Sequence, residues 1–401
     1  MRVRVFGVAR GQRPFRVRTQ CYPLLASFLM IFIIFTSLFL GALFSSNMVA
    51  AASSDEQLWV PESAEISRIV QDVKTEYKEP IRGIYLPSRF IGDEERMSSY
   101  MDLARQTEIN AFVIDVKDDD GWITYESQLE APNSYEAIDA RMGDLGDLVS
   151  RLNEEGIYSI ARVVVFKDSK LVQARPDLAV LGAASNTPWI DSSGSYWVDP
   201  YERETWDYNI EIAQEVIEKG FDEVQFDYVR FPSDGDMHDV LYPFEDPHRE
   251  KTQVIHDFLR EAHWTILSAG GRSSADIFGM VTTVRNGMGI GQRWEDTVKY
   301  CDYISPMVYP SHYGPNIYGL SNPNAAPFET VDYAMRDALK RNRRGDAYLR
   351  PWLQDFSWGI HYGRAEVRAQ IDATYANEIN SWLLWNPAGN YTRDALKPSS
   401  E

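Results

Sequence analysis

Eight β-rich runs alternate with helix-forming stretches from residue 81 onward, and that alternation limits the folds open to this chain. The runs are RGIYL (82–86), AFVIDV (111–116), YSIARVVVF (158–166), EVQFDYV (223–229), DIFGMVTTV (276–284), DYISPMVY (302–309), AYLRPWL (347–353) and NSWLLW (380–385). Several follow a helix that ends near glycine, in NEEGIYS, EKGFDEV and RRGDAYL, which is the order of helix C-cap and then strand. Eight βα units predict an α/β chain folded as a (β/α)8 TIM barrel over 80–396. A doubly wound sheet is the competitor, but no glycine-rich nucleotide turn follows the first run.

Charge divides the chain. The first 54 residues hold six arginines and no acid, so a formal net charge of -19 becomes -25 over the remainder. That acidity argues against nucleic acid as a partner. Residues 24–44, LLASFLMIFIIFTSLFLGALF, carry no charge, and at about 1.5 Å per residue they would cross a bilayer. Arginines before the run and acids after it place 1–23 in the cytoplasm and the barrel outside. One reading is a retained membrane-spanning signal anchor, with 45–79 as a linker or stalk. The other is a signal peptide cut near VAAA (Val49 to Ala52), which would secrete the barrel. The length of the apolar run favours retention. Cys21 precedes the run and Cys301 lies in the barrel, so the two cysteines are not expected to pair.

In such a barrel the strand C-termini and the loops after them build the site. Alternation along the fourth run sends Val224, Phe226 and Tyr228 to the helices, leaving Gln225 and Asp227 facing the axis. By the same logic Asp115 and Lys117 face inward on the second run, with Asp118 in the loop beyond. Arg162 lies between apolar neighbours on the third. Arg350, Trp352 and Gln354 share a face of the seventh, which ends at Asp355. An inward carboxylate is costly to bury without a partner or a task. The plain alternative is a set of ion pairs, such as Asp115 with Lys117, or Asp227 with Arg162 or Arg230, that order the mouth.

Paired carboxylates can cleave glycosidic bonds, one giving a proton to the leaving oxygen and the other acting ionised as nucleophile or base. Asp227 beside a guanidinium suits the ionised role. The expected tips of the fifth and sixth strands, MVTTVRNG and PMVYPSHYG, offer no carboxylate, so Asp118 and Asp355 are the candidate acids. Aromatic residues make up 13% of the chain. Trp189 and Trp197 in the loop after the third run, and Tyr309, Trp352 and Trp385 at strand ends, are candidates to stack on sugar faces, against the alternative of core packing. Six scattered histidines and no HExxH argue against a zinc hydrolase. The acidic loops at 118–121 and 233–239 match no EF-hand loop. No metal and no cofactor are expected.

NAFVIDVKDDDGWITY (110–125), GFDEVQFDYVRFP (220–232) and RPWLQDF (350–356) resemble a family of glycoside hydrolase domains from exported bacterial proteins, related to α-amylase-like barrels. The resemblance implies Asp227 as nucleophile and Asp355 as an aspartate that helps bind sugar. Where those barrels carry a general-acid Glu at the end of strand five, this chain has none. The expectation is a glycoside hydrolase acting on an extracellular or cell-envelope polysaccharide, with Asp115, Lys117, Arg162, Gln225, Arg230 and Gln354 binding sugar or tuning the carboxylates. The alternative is a non-catalytic glycan-binding or envelope-scaffolding protein.

Overall fold

The computed structural model describes residues 80–343 and 346–399. The basic leader, the apolar run 24–44, the stalk 45–79 and Gly345 of the RRG turn lie outside the described residues. No helix among the described residues is long and apolar enough to cross a membrane.

Eight parallel strands close on themselves. They are β1 (Arg82–Leu86), β2 (Ala111–Lys117), β3 (Tyr158–Val164), β4 (Glu223–Asp227), β5 (Arg272–Phe278), β6 (Tyr303–Val308), β7 in two pieces (Tyr348–Leu349 and Trp352–Gln354) and β8 (Trp382–Trp385). Each pairs with the next, and β8 pairs with β1, which completes a (β/α)8 barrel. The main outer helices are α1 (Glu94–Gln106), α2 (Leu145–Glu154), α3 (Arg203–Glu218), α4 (Lys251–Ser268), α5 (Pro327–Arg341) and α6 (Arg364–Ala376).

Local chemistry sets the helix ends. The Asp93 carboxylate accepts from the amides of Glu95 and Arg96, and Asp144 caps α2 in the same way. Gly156, Gly220 and Gly270 follow α2, α3 and α4 with φ of +68°, +106° and +90°, the left-handed turn that returns the chain to a strand. The helices cover the sheet with apolar stripes. Phe226 of β4 meets Phe258 of α4 edge to face at 5.5 Å, and Phe258 also meets Trp206 of α3 at 5.9 Å. With Phe226 turned outward, its neighbours Gln225 and Asp227 turn inward.

Inside the barrel a second apolar cluster fills the lumen, including Ala111, Val113, Ile160, Tyr303, Trp352 and Leu383. At its floor Glu223 takes both Arg350 and the Ser274 hydroxyl, and Tyr158 Oη donates to it at 3.1 Å. One level higher, Gln225 Nε2 donates across the barrel to Ser305 Oγ at 3.1 Å.

Two expectations about the strands need correction. The fifth strand spans 272–278, not 276–284, and residues Gly279–Thr282 form a 3-10 turn. The β-branched run MVTTV imitated a strand, whereas the true start follows Gly270–Gly271. Lys117 does not follow Asp115 into the lumen. The β2–β3 register slips between the two residues, and the Lys117 ammonium turns toward the helix layer.

Candidate active site

The C-terminal strand ends gather charge around one arginine. Arg162 of β3 donates through Nη1 to Asp115 Oδ1 (2.7 Å) on β2, and through Nε and Nη2 to Asp227 Oδ2 (2.9 and 2.6 Å) on β4. Nη2 also reaches Asp119 Oδ1 at 3.0 Å in the loop after β2. The guanidinium is sealed, whereas the Asp119 side chain stays 44% exposed. Asp115 accepts a second bond from Tyr85 Oη of β1 at 2.5 Å, and burial pushes its carboxyl up to about 6 although Arg162 pulls it down. The Tyr85 ring stacks on Trp385 of β8, centroids 4.0 Å apart, and Arg162 lies 5.4 Å from the Trp385 ring.

Asp227 is 6% exposed. Besides Arg162, it accepts the Tyr228 amide on Oδ1 at 2.6 Å. Its neighbour on β5 is a carboxylate that sequence reasoning missed. Phe226 pairs with Ala275, so the next step along both strands brings Asp227 level with Asp276. Asp276 Oδ1 accepts from Trp352 Nε1 of β7 at 2.7 Å. Burial, and after it the charge of Asp227, push the Asp276 carboxyl well above the usual range. Tyr309, just past β6, is buried within the field of both carboxylates. Two aspartates thus sit side by side, one gripped by a guanidinium and the other held by an indole N–H.

The signal for Asp276 was present in the sequence. SAGGRSSADIF has the same helix, glycine, strand order as NEEGIYS and EKGFDEV, and it would have placed Asp276 near a strand tip.

The other expected site residues divide into groups. Asp118 turns back on its own loop, accepting from the amides of Asp120 and Trp122 and pairing with Arg141 at 3.0 Å. Both Asp355 oxygens are taken by Thr392, through its hydroxyl (2.6 Å) and its amide (2.8 Å). Lys117 Nζ meets Asp168 Oδ2 at 2.7 Å, Val164 O at 2.6 Å and Asn209 Oδ1 at 2.9 Å, with no exposed surface on either charged side chain. Gln354 is occupied by the Ser311 amide and the Phe356 carbonyl.

Trp189 and Trp197 are both buried, so neither presents a ring face to solvent. Their indole N–H groups donate to Asp236 O (3.2 Å) and Asp191 Oδ2 (3.0 Å). The loop that carries them is not a polar surface strand. It folds on itself through an Ile190–Tyr196 bridge and a short ladder between Leu181–Gly182 and Val240–Leu241, which buries the two indoles. Tyr309, Trp352 and Trp385 sit at the lumen end of the barrel with the carboxylates. Arg230 packs among Trp197, Tyr228 and Phe278, its Cζ 4.9, 5.0 and 4.6 Å from their centroids. Among the described residues, no group of three or more His, Cys, Asp or Glu is placed to hold a metal ion.

A family model described as "putative glycosyl hydrolase domain" matches residues 83–391. No curated protein matches the chain. Among solved structures, a hypothetical protein from Ruminiclostridium thermocellum is similar at 38% identity over 48% of this chain and 96% of that one, with a TM-score of 0.44. The glycoside hydrolase domain of PgaB (BpsB) from Bordetella bronchiseptica is similar at 14% identity over 80% of this chain and 100% of that one, with a TM-score of 0.52, a likeness of fold.

Proposed function

Since this chain belongs to that family of glycosyl hydrolase domains, we propose that its barrel mouth cleaves glycosidic bonds, with Asp227 as the ionised nucleophile or base and Asp276 as the acid. The observation that carries this reading is the pair itself: two carboxyls level on neighbouring strands, in unequal surroundings. Asp276, kept protonated by burial and by its neighbour's charge, gives its proton to the leaving oxygen. Asp227 attacks the anomeric carbon or activates a water molecule. Asp119, the most open of the carboxylates on Arg162, is placed to accept a sugar hydroxyl. The substrate in this reading is an extracellular or cell-envelope polysaccharide, and the arginine-flanked apolar run 24–44 supports export of the barrel.

The test is a glycan and aryl-glycoside panel. Asp227→Asn should lower kcat by at least about 10³-fold on every substrate. Asp276→Asn should lower it by about 10²–10⁴-fold on natural glycosides, yet far less on nitrophenyl glycosides, whose leaving group needs no proton. Equal losses on both substrate types would remove Asp276 from the acid role. A second reading, a glycan binder without turnover, is favoured by one observation: Arg162 and the Tyr228 amide together engage both Asp227 oxygens. Binding with no cleavage by the unaltered protein would establish that reading instead.

A further inference from the structure

The barrel mouth holds a cation that the carboxylate network does not use. Arg230 is 7% exposed, and none of its hydrogen bonds with described residues goes to a carboxylate. Nη1 alone is engaged, donating to Phe231 O at 3.0 Å and Ser233 Oγ at 3.1 Å. Nε and Nη2 make no hydrogen bond with a described residue, and they are not among the polar atoms sealed from solvent. Burying a guanidinium without a counter-ion costs several kcal/mol, and this chain has 59 acidic residues from which a partner could have come.

The nearby acids are otherwise placed. Asp191 accepts from the amides of Ser193 and Ser195, from Ser193 Oγ and from Trp197 Nε1. Asp227 is held by Arg162. Asp234 is exposed on the loop beyond.

The orientation of Arg230 is informative. Its engaged Nη1 and the rings of Trp197, Tyr228 and Phe278 fix the guanidinium plane. The two unused donors form its side-on fork, the edge that matches both oxygens of a carboxylate. Tyr228 follows Asp227, and Phe278 lies two residues past Asp276, so the fork belongs to the rim beside the carboxylate pair. A second cation stands against the same ring: Lys167 Nζ, in the segment after β3, lies 5.0 Å from the Tyr228 centroid. No ion pair of Lys167 occurs among the described residues.

We propose that Arg230 and Lys167, flanking the Tyr228 ring, form a subsite for the carboxylate of a uronic acid, so that the glycan taken by this cleft is acidic. The inference rests on the glycoside hydrolase reading and names its substrate class. The Arg230 fork receives the two carboxylate oxygens, and Lys167 adds charge.

The experiment titrates Asp276→Asn protein, which holds substrate uncleaved, with oligomers of galacturonate, glucuronate and mannuronate and with the carboxyl-reduced form of each. One charge-assisted pair is worth about 1.5–3 kcal/mol, so at least one acidic oligomer should bind roughly 10- to 100-fold tighter than its reduced form. Adding Arg230→Lys, which keeps the charge and loses the fork, should bring that ratio close to one. Lys167→Gln, on a less buried side chain, should lower it several-fold and serves if the arginine variant fails to fold. Equal binding of acidic and reduced forms throughout, or a ratio unchanged in both variants, would overturn the subsite. Disappearance of the ratio in Asp234→Asn alone would also overturn it. Cleavage of neutral glycans with no acidic preference defeats the subsite and leaves the hydrolase reading standing. Selective binding of an acidic oligomer without turnover by the unaltered protein does the reverse.

Discussion

Asp199 shows how a single buried carboxyl couples this fold to pH. It has no exposed surface and accepts from the amides of Tyr201 (3.0 Å) and Phe244 (2.9 Å), tying the loop before α3 to the segment before α4. Burial pushes its carboxyl up to about 6 against those two bonds. An aspartate in the unfolded chain titrates near 3.9, so the folded state holds this proton more tightly. Its contribution to stability is complete below about pH 4 and is lost as pH rises through about 6. Asp115, also pushed up to about 6, shares that slope. Urea unfolding of Asp199→Asn from pH 4 to 7 should therefore show a shallower decline than the parent. An unchanged decline would mean that Asp199 does not titrate in this window.

At the scale of elements, the instructive segment is the end of β2. Alternation correctly turned Asp115 inward, because Ala111 and Val113 share its face and pack in the lumen. It failed two residues later, because a bulge is a matter of pairing between strands and leaves no mark in the spacing of one strand. Beyond the bulge Lys117 is buried against Asp168, whose Oδ1 also caps the next short helix through the Leu171 amide at 2.7 Å. Lys117→Met leaves that carboxylate buried and unpaired, which should destabilise the barrel by about 3–5 kcal/mol. Asn at 168 can keep the cap, so the double variant Lys117→Met, Asp168→Asn should recover most of the loss in thermal unfolding. The fifth strand failed for a different reason. Val281, Thr282, Thr283 and Val284 have strand-like side chains, but the sheet ends at Phe278, and residues past a sheet edge take the shape their contacts impose. The helix–glycine punctuation located strands three and four well, and read at Gly270 it would have exposed Asp276. Trp189 and Trp197 were illegible for a third reason: composition suggested a surface loop, and only the folded loop shows that it makes a small core of its own.

For the whole molecule, the alternation of eight runs was enough to specify the barrel, because the count of units and the need to bury one face of each admit few closures. The compartment is argued from a different part of the chain. We propose export of the barrel, a reading supported by six arginines ahead of an apolar run and an acidic remainder, whether the run is kept or cut. Mass measurement of the protein from membrane and medium fractions separates the two outcomes: full-length chain in the membrane for an anchor, a chain starting near residue 50 in the medium for a cleaved leader. Full-length protein in the cytosol would sink both.

The floor of the barrel has its own consequence. Glu223, Arg350, Ser274 and Tyr158 plug the lumen beneath Gln225, so nothing can thread from one end to the other. In the proposed function, a polymer would lie across the rim like a rope over a bowl. Both halves of a cut chain then leave by the opening through which the intact chain arrived.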